Sequence, residues 1–533
     1  MNNISKPQSA PGRHGRRLLR VMAASAVIAS MMPTLSSCDD FFDLKPENEL
    51  VLDEMWKSES DVLSVTGSVY RQMQEGGFMN DLFVWGEFRS DNVILGNGDG
   101  GDLSNIASLN LLPSNGYAYW GNVYTVINIC NTIIHYAPEA RANDPSFSES
   151  AMNGYIAEAK GVRAFCYFLL VRTFRDVPFV LNPVIDDTET FQVAQSDPDD
   201  VINTLIEDLK KTEPTAFTTL STKVHTKGRM TQNAIRALIA DMCLWQGRYS
   251  ECIDYCDRIL RDNLNPLSLE TGTDWARKVF IDGNSSESIF ELQFNNSGAT
   301  VGNSSLVDFY GSDNSTPRMA AFDFSTSELF NTTDTRQWDF FYNSNSTSVI
   351  KKFVSYRTDP NSKESVNSWS YTDLGSSARN VNWILYRLPD VYLMKAEALV
   401  ESGGSLQTAY DLVSHTFDRA NPDLEPGSID PTAVNSTDAM RNLVFDERQR
   451  ELMFEGKRYF DLLRRILRDR SQFSTLVTNY LVPKYNTLDQ ATITRKLSEL
   501  DALYFPIKDT ELKSNLLLKQ NPFYRQQSDI SRD

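Results

Sequence analysis

Residues 155–180 read YIAEAKGVRAFCYFLLVRTFRDVPFV, and this stretch decides the fold. Its apolar residues recur at helical spacing over about four turns, which predicts an α-helix. From Phe165 to Val171 the run is apolar almost all round the helix, so we expect a central helix with neighbours on several sides. The helix should end near Asp176, because Pro178 pushes the residue before it out of the helical region.

Two later stretches each predict a helical hairpin that can pack on this core. Met230–Leu260 is broken by Gly247, and a second hairpin that starts at Val391 is broken by Gly403-Gly404. Such pairs are similar to tetratricopeptide units, which supply a curved scaffold rather than chemistry. We therefore predict an all-α protein on a tetratricopeptide-like helix-pair scaffold, with a loop-rich ligand-binding face and a few short strands. Single helices are predicted near Ser58–Tyr70, Trp120–Tyr136 and Asp199–Lys211, and a charged helical stretch at Val444–Arg465.

Composition narrows the class of protein. The formal net charge of -18 argues against a nucleic-acid partner, because such partners are bound through basic surfaces. A mean hydropathy of -0.36 excludes a polytopic membrane protein. With 533 residues and no long low-complexity linker, the chain is one large body or two sub-domains that share a core.

The N-terminus carries an export signal. Basic residues between Arg13 and Arg20 precede an apolar segment, Val21–Leu35, that is too short to span a bilayer comfortably. Leu-Ser-Ser-Cys then resembles a bacterial lipobox, so we expect residues 1–37 to be a signal peptide and Cys38 to be lipidated. The alternative is an ordinary secretory signal with an incidental cysteine. A lipid anchor would tether the protein to a membrane without spanning it.

Five further cysteines lie mostly inside apolar helical runs. An odd number in such positions favours buried free thiols over a disulfide framework. Cys252 and Cys256 are four residues apart and could hold a metal, but no second pair or nearby histidine supports that interpretation.

The candidate ligand residues lie in two polar stretches. Residues 285–382 are rich in Asn, Ser, Thr and Asp with scattered aromatic rings, which are suited to stacking on sugar rings or peptide side chains. The stretch 96–116 lacks helical periodicity and is predicted to be a loop. The alternative is that each ring merely packs its own loop on the body. From their chemistry, the predicted ligand-binding residues are Asn97, Asp99, Asp102, Tyr310, Trp338, Tyr342, Tyr356, Trp369 and Tyr371.

Several acidic residues could form a metal or catalytic site, but most of them have a simpler interpretation. Asp99 and Asp102 loosely match a calcium loop but lack its full acidic spacing, so no cofactor is expected and calcium is the minority alternative. The charged stretch Val444–Arg465 alternates Glu with Arg, which favours a salt-bridge network over an acid/base pair. A glycoside hydrolase would have to use carboxylates among Asp334, Asp339 and Glu364.

Segments in a fixed order resemble the SusD/RagB family of surface nutrient-binding lipoproteins of Bacteroidetes. They are the lipobox with Cys38-Asp39-Asp40-Phe41, the helix AEAKGVRAFCYFLLVRTFRDVPFV, the stretch Tyr386–Ala398, and ERQRELMFEGKRYFDLLRR. The tail Leu503–Tyr524 is also similar to the family's C-terminal signature. The match covers nearly the whole chain after residue 37, which we divide into an N-terminal part, 38–225, and a C-terminal part, 226–533.

The resemblance implies a binding protein, not an enzyme. It implies an outer-membrane location facing the cell exterior, and a SusC-like TonB-dependent transporter as the partner over which the lipoprotein sits as a lid. We expect an oligosaccharide ligand, with a peptide as the alternative. A glycoside hydrolase and a scaffold that binds only proteins are the remaining hypotheses.

Overall fold

A computed structural model of the chain describes residues 55–97, 101–185, 192–297, 301–311, 316–324, 328–344, 347–358 and 370–525. The chain divides into two units, Met1–Met55 and Trp56–Asp533, and every helix and strand given below lies in the second. The predicted division at residues 225 and 226 stays a prediction. Cys38 and the signal segment lie outside the described residues.

Helices make up most of this body, as predicted. In chain order they are α1 (Glu59–Met73), α2 (Gly76–Phe83), α3 (Asp102–Ala107), α4 (Gly121–Asn143), α5 (Glu149–Phe174), α6 (Pro198–Thr212), α7 (Lys223–Gly228), α8 (Gln232–Trp245), α9 (Tyr249–Leu260), α10 (Trp275–Arg277), α11 (Ser304–Tyr310), α12 (Arg336–Asp339), α13 (Leu388–Glu401), α14 (Leu406–Ala420), α15 (Thr437–Leu452), α16 (Arg458–Arg468), α17 (Phe473–Leu476), α18 (Gln490–Lys496) and α19 (Asp509–Ser514).

Helix α5 is the central helix that the opening stretch predicts. The Ser148 hydroxyl caps its first turn by accepting the Ala151 amide at 3.1 Å. From Val162 to Phe174 every residue is buried, because α4, α6 and α8 pack against it. The helix ends at Phe174, where Arg175 takes a left-handed conformation with φ of 70°. The predicted end near Asp176 is therefore correct to within two residues.

The two predicted hairpins are also confirmed. Helices α8 and α9 pack together across a turn at Gly247, and α13 and α14 across a turn at Gly403. Both glycines adopt positive φ, 70° and 71°, which side-chain-bearing residues rarely adopt. Helix α9 packs on α13, so the two hairpins form one continuous scaffold.

The described strands are short and form two-stranded antiparallel sheets. Their pairings are β1 (Val93–Leu95) with β5 (Met319–Ala321), β2 (Val177–Pro178) with β3 (Gln195–Ser196), β4 (Ser288–Leu292) with β10 (Trp383–Arg387), β6 (Phe341–Ser344) with β7 (Thr347–Ile350), and β8 (Ser355–Arg357) with β9 (Tyr371–Asp373). Most of these strands lie in the predicted 285–382 insertion.

One prediction of local structure is wrong, and another misses a break. The stretch 96–116 contains helix α3, whose Leu103 and Ile106 are buried and anchor it to the core. The charged stretch 444–465 is two helices, because the turn between α15 and α16 places Phe454 at φ of 64°. A phenylalanine in that conformation carries no glycine-like signal in the sequence.

Residues near the C-terminal end close the body against its N-terminal part. The Arg89 guanidinium donates to the carbonyls of Leu503 at 2.7 Å and Ala502 at 2.9 Å. The Phe505 amide donates to the Thr173 carbonyl at 2.8 Å, at the end of α5.

Two further observations concern the state of the cysteines and the apolar character of the helices. Cys130, Cys166, Cys243, Cys252 and Cys256 are buried free thiols, as predicted. Among the helices of the described ranges, none combines the length and apolar character needed to cross a bilayer.

Candidate functional site

The two polar stretches that hold the predicted ligand residues are brought together by a strand pair. Strand β1 pairs with β5 in the register Val93 to Ala321, and the Gly96 amide donates to the Arg318 carbonyl at 2.9 Å. Strand β5 also contacts the β6–β7 hairpin. The chain around Asn97 therefore runs beside the aromatic-rich insertion, although more than 200 residues separate them in sequence.

Three of the predicted rings form what we call the aromatic cluster, made of Trp338, Tyr342 and Tyr371. All three are half-buried. The Tyr371 hydroxyl donates to the Trp338 carbonyl at 2.9 Å, and the Lys351 ammonium lies 5.0 Å from the centre of the Tyr371 ring. Burial raises the pKa of Tyr371, and Asp339 and Tyr342 are among the neighbours that affect it. The hydroxyl bond of Tyr371 thus joins β9 to α12, and Tyr342 of β6 lies near enough to act on Tyr371 electrostatically.

An ion pair holds the cluster in place. Arg357 lies opposite Tyr371 in the β8–β9 ladder and donates to both oxygens of Asp339, at 2.6 and 3.2 Å. The Arg357 guanidinium also lies 5.8 Å from the Trp338 ring. This two-point contact fixes the end of α12 against the hairpin, because the planar fork of arginine matches a carboxylate.

Tyr356 lies apart from the cluster. It precedes Arg357 on β8, so its side chain points to the opposite face of the hairpin. There Arg277 lies over its ring at 4.6 Å, beside a cavity of about 120 Å³ that Thr273, Asp274 and Thr358 also line. Tyr356 and the cluster therefore cannot contact the same face of one sugar ring.

A groove that the sequence did not predict contacts strand β6 through Phe324. Its volume is about 520 Å³, within the range typical of small-ligand sites. Phe324 lines it and packs on Phe341 of β6 at 5.2 Å, one residue before Tyr342. We call it the acidic groove; its lining includes Asp91, Phe322, Asp323, Phe324, Glu328, Asp446, Gln449, Arg450, Tyr480 and Lys484.

The remaining predicted residues have different surroundings. Tyr310 is corrected to a core residue: it is fully buried, its ring packs on Phe83 and its hydroxyl donates to the Phe454 carbonyl at 2.8 Å. Asp102 is half-buried and accepts the Gly116 amide at 2.8 Å, so one of its oxygens already has a structural role. Asn97 is exposed. Asp99 and Trp369 lie outside the described residues.

The metal alternative gains no support from the described ranges, in which no three His, Cys, Asp or Glu side chains are close enough to share a metal ion. Calcium at Asp99 stays an untested prediction. Asp334 is paired with Arg336 at 2.7 Å and Asp339 with Arg357, while Glu364 lies outside those ranges. Two of the three hydrolase candidates are therefore already engaged in ion pairs with arginines.

The predicted salt-bridge network is present: Arg450 pairs with Glu447 three residues away, but the network is buried and most of its other partners are distant in sequence. Arg336 donates to Glu447 at 2.7 Å and Glu451 at 3.1 Å, and all three side chains are fully buried. Lys352 donates to Glu455 at 2.6 Å. Arg336 begins α12 and Lys352 lies between β7 and β8. These contacts therefore anchor both ends of residues 336–352, the cluster-bearing segment with Trp338 and Tyr342, to the helical body.

Two more arginines complete the network. Arg387 donates to Glu451 and to Glu455, each at 2.6 Å, and Arg419 pairs with Glu287 and Glu451. Burial alone would raise the pKa of Glu451, but the guanidinium groups of Arg419, Arg387 and Arg336 more than offset it and hold the pKa below its usual range. The low pKa favours the ionised form of Glu451, which serves as a structural anchor for all three arginines.

Comparisons with known proteins agree on one family. A model of the SusD family matches residues 332–524, and a model described as "Starch-binding associating with outer membrane" matches residues 40–244. SusD-like protein P38 of Formosa agariphila is 24% identical over 483 residues, which cover 82% of this chain and 90% of that protein.

Solved structures share the fold. A SusD superfamily protein from Bacteroides thetaiotaomicron has a TM-score of 0.69 at 19% identity and covers 87% of this chain and 100% of its own. NanU from B. fragilis has a TM-score of 0.66 at 20% identity, with coverage of 89% and 98%. The matched segments, the helix-pair fold and these neighbours agree: the chain belongs to the SusD/RagB family.

Proposed function

We propose that this protein is an outer-membrane lipoprotein, anchored through Cys38 and facing the cell exterior, that binds an oligosaccharide and delivers it to a SusC-like TonB-dependent transporter. The observation that carries the proposal is the aromatic cluster, whose three rings are half-buried; a separate groove of ligand size supports it. Half-buried rings present an apolar face to solvent, and a sugar ring can stack on such a face. The family description that names starch binding and the outer membrane supports the same class of ligand and location.

The mechanism is capture on a preformed surface. The anchors at Arg336 and Lys352 hold the cluster-bearing segment on the helical body before any ligand arrives. Little conformational entropy then has to be lost on binding, which favours affinity from a small contact area. Passage to the transporter would follow when the lipoprotein closes over the barrel as a lid.

Affinity electrophoresis of the purified full chain through gels that contain single polysaccharides tests the ligand class. Retardation by one glycan is expected. In the Trp338→Ala/Tyr342→Ala double variant the affinity should fall about thirtyfold, since each lost stacking contact is worth about 1 kcal/mol. Tyr119→Ala is the control, because Tyr119 is an exposed ring that packs on Lys508 instead. Unchanged binding in the double variant, with normal circular dichroism, would refute the site.

The outcome for peptides is separate. Retardation by no glycan, together with binding of a peptide mixture that the double variant loses, would replace the oligosaccharide by a peptide. Hydrolysis of a retained glycan would instead favour the hydrolase.

Co-purification tests the anchor and the partner. The protein extracted from outer membranes should carry a TonB-dependent transporter with it, and Cys38→Ala should release the chain from the membrane fraction. Recovery of the wild-type chain without any transporter would remove the delivery step from the proposal.

A further inference from the structure

The acidic groove contains a carboxylate that the protein leaves uncompensated. Asp446 lies on α15, is half-buried and lines the groove. Its side-chain carboxylate makes no hydrogen bond or ion pair with any residue in the described part of the chain. Burial raises its pKa, and the nearby charges of Arg450, Arg458 and Arg465 offset this only in part. A carboxylate in such a position needs donors from water or from a ligand.

The three arginines near Asp446 are committed elsewhere. Arg450 donates to Glu447 at 2.7 Å and to the Leu329 carbonyl at 2.9 Å. Arg458 binds both oxygens of Asp91, each at 2.8 Å. Arg465 bonds Asn442 through one Nη and lies over the Phe445 ring at 4.4 Å, while its Nη1 is buried without a hydrogen-bond partner in the described part of the chain.

The remaining cation of the groove is also turned away from it. The Lys484 ammonium donates to the backbone carbonyls of Ser90 at 2.8 Å and Phe88 at 3.2 Å. Burial lowers its pKa to about 7, so even its positive charge is partial at neutral pH. Asp323 and Glu328 add two exposed carboxylates to the lining. A ligand in the groove thus meets acceptors and negative charge.

The other walls are aromatic. Phe322 and Phe324 are 5.5 Å apart in an edge-on arrangement, and Tyr480 faces the groove from the segment after α17. Rings flanking a carboxylate provide the two contacts that a neutral sugar uses, an apolar face to stack on and an acceptor for its hydroxyl groups. A hydroxyl that donates to an ionised carboxylate forms a short, charge-assisted bond.

We propose that Asp446 determines the specificity of the groove: it accepts hydrogen bonds from hydroxyl groups of an uncharged saccharide and excludes saccharides that carry carboxylate or sulfate groups. This inference rests on the proposed function and adds the class of substrate. An anionic sugar would place a second negative charge beside Asp446, in a lining whose two cations, Arg450 and Lys484, already donate to protein acceptors; this is unfavourable in a partly desolvated site.

Affinity electrophoresis with matched probes tests the inference. The probes are soluble starch, laminarin and galactomannan, each beside its own carboxymethylated form, so that the backbone is constant and only the charge changes. The full chain should bind at least one neutral form, and the corresponding carboxymethyl form at least tenfold more weakly.

Asp446→Asn should change the two affinities in opposite directions. Binding of the neutral form should weaken about tenfold, because an amide is a weaker acceptor than a carboxylate, whereas the carboxymethyl form should bind better. The matched control is Asp438→Asn, which removes the same charge from the same helix at a side chain that is 85% exposed. That variant should leave both affinities unchanged.

The outcomes separate this inference from the proposed function. If a glycan binds and the Trp338→Ala/Tyr342→Ala variant loses it, but Asp446→Asn leaves the ratio of neutral to carboxymethyl affinity unchanged, the inference is wrong and the function stands. Preference of the wild-type chain for a carboxymethyl form would also overturn it. Retardation by neither form of any probe would contradict both this inference and the oligosaccharide ligand of the proposed function.

Discussion

Arg336 shows what one buried residue contributes to this surface. Its side chain is fully buried, and its guanidinium meets the carboxylates of Asp334, Glu447 and Glu451. The planar guanidinium has five N–H donors and can bind a carboxylate at two points, which the ammonium of lysine cannot, so lysine is not an equivalent replacement. Because Trp338 follows two residues later on α12, the same side chain positions one ring of the aromatic cluster.

Replacing Arg336 by methionine should destabilise the protein by about 3–5 kcal/mol, since three carboxylates would stay buried without this partner. Urea unfolding followed by circular dichroism measures the loss. The control is Arg261→Met, which removes an arginine that is 78% exposed and should cost less than about 0.5 kcal/mol. Equal midpoints for the two variants would show that the buried network contributes no stability.

At the scale of elements, a glycine in the turn after α2 lets two segments touch. Gly86 lies in the π-helical turn Val84–Phe88, and a Cβ built there would be 1.9 Å from the Gly456 carbonyl oxygen. The turn around Gly456 also holds Phe454 and receives Lys352, because the Lys352 ammonium donates to the Met453 carbonyl at 2.9 Å. Close approach at Gly86 therefore supports the anchor of the cluster-bearing segment.

Gly86→Ala should destabilise by about 2–3 kcal/mol, because a backbone oxygen cannot move aside as a flexible side chain can. Gly67→Ala makes the same chemical change in the exposed middle of α1, where a Cβ meets nothing within 4 Å. That variant should stabilise the protein by about 1 kcal/mol through helix propensity. The opposite signs are checked by comparing denaturation midpoints; a neutral Gly86→Ala would mean that the two segments are not in contact.

Across the whole molecule, stability should depend on buried, ionised carboxylates. Burial of Asp390 is outweighed by Lys457 and Arg448, which lower its pKa from 3.8 to about 2. Glu397 and Glu451 are likewise shifted down by arginines against the effect of burial. Each group contributes stability that is complete above its unfolded pKa and is lost as the pH falls through the folded value. Glu87 acts oppositely, because burial raises its pKa from 4.5 to about 7 and its contribution falls as pH rises between those values.

We therefore expect the urea midpoint to be highest near pH 5–6 and to fall steeply below about pH 4.5, down to about pH 2. Added salt should alter this transition little, because buried pairs are poorly screened. A midpoint that stays constant down to pH 3 would contradict the assignment.

Helices with strong local signals could be predicted from the sequence. The apolar stretch of α5 and the glycine breaks at Gly247 and Gly403 are properties of neighbouring residues, so periodicity and turn chemistry were enough to predict them. The break between α15 and α16 could not be predicted, because it depends on Phe454 being held at positive φ by contacts with Glu87 and Lys352 from distant segments.

The site residues likewise divide into those that the sequence could predict and those that it could not. Rings among polar residues pointed to Trp338, Tyr342 and Tyr371, but the same signal selected Tyr310, whose burial depends on Phe454, 144 residues away. The acidic groove was not predicted because Asp91, Phe324, Asp446 and Tyr480 come from stretches that meet only in the folded chain. The network partners Arg336 and Arg387 are remote from α15 for the same reason.

The contacts of Arg89 with the carbonyls of Ala502 and Leu503 join residues 413 and 414 positions apart. Such closure has a kinetic consequence: the N-terminal part cannot complete its packing until almost the entire polypeptide has been synthesised. The entropy of closing a loop over this distance is lost before the final contacts contribute any stability. Folding should therefore be slower than formation of the local helix pairs alone. During that interval the faces that await residues 502–505 are exposed, and the half-made chain depends on being kept from aggregating.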